Sequence, residues 1–178
     1  MTAVTGNAAT NPPALPPPKT RVWHGWVYRL VGRVHPSKRK RILAYARAGI
    51  AYHGEMHYTE QANRSELFHR KRGDFKAAHA DCSQYAASCA HWSGVAKVTD
   101  SDFTGTLSTK GKLLTEPVPG CYVFFGKPPY VHMGIVGKEK HVIGFGSQSG
   151  PDRNTLATLL SYFAKQGHGG HMFRDITR

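Results

Sequence analysis

Cys82 opens a helical stretch, DCSQYAASCAHW, that follows an irregular polar segment. At the first turn of a helix, unpaired backbone N–H groups and the helix dipole favour thiolate over thiol, so the position suits a nucleophile. Asp81 is the cap of that helix, able to accept from N–H groups two or three residues on. Cys89 lies mid-helix among alanines, and Cys121 begins a strand after Gly120; both read as inert packing thiols. A thiol nucleophile needs a base. Of the eleven histidines, His132 stands apart because it interrupts an apolar strand, VHMGIV. A cysteine at a helix start facing a histidine on a sheet strand is the geometry of Cys–His hydrolases. His53 and His57 are four apart, as helical metal ligands are, but Gly54 between them marks a helix end. No third ligand follows at diagnostic spacing, so no metal and no cofactor is expected.

The elements that would carry this pair are legible in outline. Ser37 offers an N-cap to KRKRILAYARAGIAYHGE, where Ile42, Ala46 and Ile50 recur at helical spacing and Gly54 is the stop. Residues 55–78 are polar and read as mostly irregular. The second helix runs from Asp81 to near Gly94. Three short β-branched or aromatic runs then follow at 121–126, 131–137 and 141–146, each bounded by Gly, Pro or Lys. Asn154 to Gln166 reads as a third helix and HMFRDI as a closing strand. Helices first and an antiparallel sheet later make an α+β domain. A hairpin turn near Lys138–Glu139 would put Phe145 opposite His132.

Around that domain the composition is lopsided. Residues 1–20 are Ala, Thr and Pro, a disordered Pro-rich arm. Residues 21–36 alternate apolar and basic groups around Trp23, Trp26 and Tyr28, an accessory segment. Residues 37–178 form the domain with the Cys–His pair. The formal net charge is +13, and residues 1–54 hold nine Lys/Arg and no Asp or Glu. Such a surface concentrates polyanions: nucleic acid, anionic lipid or the anionic polymers of a bacterial envelope. No apolar run approaches the roughly 20 residues that span a bilayer, and the uncharged start does not read as a secretory signal. Cys82 and Cys89 lie about 10.5 Å apart along one helix, beyond disulfide reach, so the thiols are expected to be reduced, as in a cytoplasm.

DCSQY (81–85) followed by HMGIVG (132–137) resembles the NlpC/P60 family of cell-wall cysteine peptidases. HYTEQANR (57–64), FTGTL (103–107), PGCYVFFG (119–126) and GFGSQSGP (144–151) extend the likeness, in order, to the catalytic domains of lysins of actinobacterial phages. The resemblance covers roughly residues 40–176. It implies a papain-like fold, with N-terminal helices and the nucleophile helix packed on a small antiparallel sheet. It implies Cys82 as nucleophile and His132 as base, with the Cys82 N–H helping to hold the oxyanion. Tyr58 matches a tyrosine lining the site, and Ser83 a residue near the substrate stem peptide. Two positions depart from the pattern. Gly120-Cys121 stands where the family has Gly-Asp, and Phe145 stands where the lysins have the histidine that orients the base. Ser147 or Gln148 is then the candidate third member.

The expected function is that of a peptidoglycan endopeptidase of the phage lysin type, cutting an amide bond in the stem peptide or cross-bridge. Its partners would be peptidoglycan and anionic wall polymers rather than nucleic acid, and it would act as a monomer. It would be made in the bacterial host cytoplasm and act on the wall. The alternatives are an N-acetylmuramoyl-alanine amidase on the same scaffold, or a non-catalytic basic wall- or nucleic-acid-binding protein that kept the fold.

Overall fold

A computed structural model describes residues 37–146 and 149–178. The arm over residues 1–20 and the basic aromatic segment over 21–36 lie outside the described residues. Helix α1 runs Lys38–Ile50, and its cap is Ser37, whose side chain accepts from the Lys40 N–H. The helix ends four residues before Gly54, which sits at φ 88° after a series of turns. Residues 55–78 are mostly turns, but they hold strand β1 (His57–Tyr58) and a helical turn, Glu66–His69. β1 pairs in parallel with β2 (His79–Ala80) just ahead of the second helix. Helix α2 spans Cys82–Trp92, with Asp81 as N-cap.

The remaining strands build one antiparallel sheet in the order β3-β8-β4-β5-β6-β7. They are β3 (Lys112–Leu114), β4 (Tyr122–Phe125), β5 (His132–Val136), β6 (His141–Gly144), β7 (Asp152–Thr155) and β8 (His171–Asp175). Helix α3 covers Leu156–Lys165. The expected helix from Asn154 thus starts later, because Asp152–Thr155 pairs as the edge strand and Thr155 caps the helix.

Every residue of β4 is buried, because both faces of the sheet are covered. Tyr122 and Phe124 project to one side, into a core with Met133, Ile135, Ile143 and Phe145 beneath α1 and α2. Val123 and Phe125 project to the other, where they meet Val136, Val142, Phe173 and the apolar side of α3. This alternation is the period-two geometry of a strand. Two buried tyrosines tie the layers together. Tyr122 donates to Ala86 O at 2.6 Å, joining sheet to α2, and Tyr85 donates to Ala46 O at 2.7 Å, joining α2 to α1. Each such bond contributes about 1 kcal/mol. Gly49 lets the helices cross closely, since a Cβ there would strike the Tyr85 hydroxyl.

The β5–β6 register differs from the sequence expectation by one residue. Gly134 pairs with Gly144 and Ile135 with Ile143. The cause is the turn Lys138–Lys140, a 3-10 segment in which Glu139 and Lys140 both adopt positive φ. A one-residue slip moves every side chain to the other face. Phe145 is therefore not opposite His132; it lies in the core beneath α2, in edge contact with Tyr58 and Tyr85.

Candidate active site

The polypeptide on either side of Cys82 is held by one hydrogen-bonded network. Asp81 Oδ1 accepts from the Gln84 N–H at 2.7 Å and from Ser83 Oγ at 2.6 Å. Its Oδ2 accepts from Arg64 Nη1 at 2.7 Å. Gln84 Nε2 donates to the carbonyls of Asp100 and Asp102 at 2.8 and 2.6 Å. Asp102 in turn accepts from Lys110 Nζ, the Thr99 N–H and Thr106 Oγ1, and these contacts hold its carboxyl below the usual range despite burial. The result is a loop pinned against the start of α2. It sets Thr104 Oγ1 3.7 Å from Cys82 Sγ. Arg64, Gln84, Asp102 and Thr104 are thus parts of the site that sequence reasoning did not assign, although HYTEQANR and FTGTL carry two of them.

Cys82 is buried, at 7% exposure, with Met133 in the same core. Burial first, and then the Asp81 carboxylate, push its thiol up to about 11. The Thr104 hydroxyl and the N–H groups of Met133 and Ser83 act toward thiolate but do not prevail. At the start of α2, desolvation thus acts against the thiolate that the helix terminus favours. Tyr58 lies beside it. Its phenol donates to Glu60 Oε1 at 2.8 Å and is held protonated by burial and by the neighbouring Cys82 and Glu60. Ser83 is buried and engaged with Asp81 rather than turned to solvent.

His132 is the first residue of β5, paired with Phe125 on β4. Its ring packs against both Phe125 and Phe163, at centroid distances of 6.1 and 5.5 Å, and those two rings stack on each other at 4.9 Å. Those rings belong to the α3 side of the sheet. Cys82 instead reaches β5 from the α2 side, at Met133, one residue further on. The structure therefore brings helix start and strand start together, but the thiol's side-chain hydrogen bond goes to Thr104 rather than to the imidazole. Burial pushes His132 down to about 4, against the opposing influence of Asp81. Burial thus disfavours the charged form of both groups. Ser147 and Gln148 lie outside the described residues. The three cysteines are free, and among the described residues no group of three or more His, Cys, Asp or Glu side chains forms a metal site.

A separate cavity of about 330 Å³ opens at the far end of β5, lined by Arg47, Lys138, Glu139, His141 and Arg153. Arg47, Lys138 and Arg153 give it three cations beside Glu139 and the apolar Ile50 and Ile143. No described helix is long and apolar enough to cross a membrane.

Neither the protein-family models nor the curated proteins contain a match to this chain. Among solved structures the chain is similar to the P60 domain of an antigen from M. avium subspecies paratuberculosis. The two superpose with a TM-score of 0.52 over 80% of this chain and 99% of that one, at 12% identity. The likeness is one of fold. It supports the α+β, P60-like arrangement expected from the ordered motifs.

Proposed function

We propose that this protein is a cysteine hydrolase of the NlpC/P60 type, with a papain-like site, that cleaves an amide bond in the peptide part of peptidoglycan. The observation that carries the reading is Cys82. It stands at the N-terminus of a buried helix and meets β5 at Met133, the residue after His132, in a fold shared with a P60 domain. In this reading the Cys82 thiol attacks the amide carbonyl while His132 takes its proton and later returns it to the leaving amine. Neither group ionises readily alone, so the proton passes directly between them and each new charge offsets the other's desolvation. That step requires the imidazole to leave Phe163 and turn toward the thiol. The helix-start N–H groups supply an oxyanion site.

The lysin assignment and the choice of an endopeptidase over an amidase rest on the sequence motifs. The basic composition of residues 1–54 suits an anionic wall polymer as partner. Mass spectrometry of digested wall tests the reaction class, because an endopeptidase exposes new peptide amines and an amidase releases intact stem peptides. A second reading, a wall-binding protein that has kept the scaffold without catalysis, is favoured by the unjoined Cys82 and His132 and by Phe145. Its mark is wall binding with no new amine ends at any enzyme concentration.

A further inference from the structure

An imidazole that serves as a base offers one nitrogen to the proton it takes, and the other must be held protonated by a partner. Phe145 cannot be that partner. The sheet register points elsewhere. Gly134, two residues after His132, pairs with Gly144, and Gly144 pairs with Asp152 on β7. Residues two apart on a strand, and direct cross-strand partners, share a sheet face. His132, Gly144 and Asp152 therefore all project toward α3. Gly144 has no side chain, and a Cβ built there would lie 3.3 Å from His132 Nε2. The imidazole extends over this bare position in the direction of β7.

His132, Gly144, Asp152 and Asn154 line a single cavity of about 20 Å³, walled on its apolar side by Val142 and Phe163. That volume accommodates one water. Asn154 Nδ2 donates to Asp152 Oδ1 at 3.2 Å, which fixes the carboxyl toward the cavity. No ion pair among the described residues engages Asp152. We propose that Asp152 is the positioning residue of His132: its carboxylate accepts the Nε2–H through one water and so selects the tautomer with Nδ1 unprotonated, the form that takes the proton of Cys82 once the ring turns toward the thiol. The ionisation of both groups fits a shared desolvated space. Burial pushes Asp152 up to about 6, with His53 acting the other way, as it pushes His132 down. Each charge is easier to carry when the other forms.

The proposal rests on the cysteine-hydrolase reading for its role, but its test does not. The ring nitrogens of His132 in the full ¹⁵N-labelled chain are read at pH 7 by long-range proton–nitrogen spectra, with His132→Gln for assignment. The wild type is expected to show the Nε2–H form in excess. Asp152→Ala should shift the ratio of the two neutral forms by about fivefold or more, and Asp152→Asn, which keeps an acceptor oxygen, by less. On wall substrate, kcat should fall about tenfold or more in Asp152→Ala, with KM within about twofold and partial recovery in Asp152→Asn. An unchanged tautomer ratio in a folded Asp152→Ala overturns the proposal, as does a change produced instead by Gln148→Ala. If Asp152→Ala does not fold, the same comparison is made on Asp152→Asn, where an unchanged ratio together with unchanged kcat overturns it. A wild type without wall activity but with the tautomer shift defeats the hydrolase reading and leaves the His132–Asp152 contact standing.

Discussion

Alkylation of Cys82 by iodoacetamide should rise about tenfold per pH unit from pH 6 to 10 without a plateau. Only thiolate reacts, and the thiol is pushed up to about 11 by burial and by Asp81. At pH 8 about 0.1% of such a group is thiolate, against about 10% for a thiol near 9, so reaction runs about 100-fold slower than at an ordinary cysteine. The remaining thiols, Cys89 and Cys121, are buried and pushed up as well, and peptide mass spectrometry assigns the modified site. Asp81→Asn isolates the second cause. It keeps a helix-capping side chain but removes the charge, so the rate at pH 8 should increase several-fold. A plateau below pH 9 in the wild type, or slower alkylation in Asp81→Asn, would refute this account of the resting thiol.

Two further outcomes follow from the sheet. His132 is held at about 4 in the fold, below its ordinary 6.5. The unfolded chain therefore takes up the proton first as pH falls. Stability from this group is complete above pH 6.5 and is lost as pH drops through 4, about 3 kcal/mol at most. Urea unfolding at pH 7 and 4.5 should show a smaller acid loss in His132→Phe than in the wild type; equal losses count against it. Gly134→Ala would place a Cβ 2.5 Å from Val142 Cγ1 and 3.0 Å from the Ile143 carbonyl oxygen, and should cost about 1–3 kcal/mol by thermal unfolding. A variant as stable as wild type would mean that β6 shifts more easily than its packing indicates.

Much of the positioning frame is written locally. Asp81 before an alanine-rich stretch marks the start of α2, and the three apolar runs mark β4, β5 and β6. What escaped is non-local or lacks a residue signature. Glu139 and Lys140 take left-handed φ without a glycine to announce it, so the turn length, and with it the register, was not readable. That one residue decides that Phe145 faces α2, on the opposite side of the sheet from His132. β7, read from DRNT, has no β-branched alternation and merges into the cap of α3. The sequence therefore gives no sign that Asp152 sits on a strand next to Gly144. The burial of Cys82 also escaped, because position at a helix start says nothing about how deeply the thiol is covered.

The most direct test of the central claim compares purified wild type with Cys82→Ala on bacterial wall, measuring wall binding and newly exposed amine ends together. The account predicts equal binding, amine release by the wild type and none by Cys82→Ala. Equal release by the two proteins would contradict it.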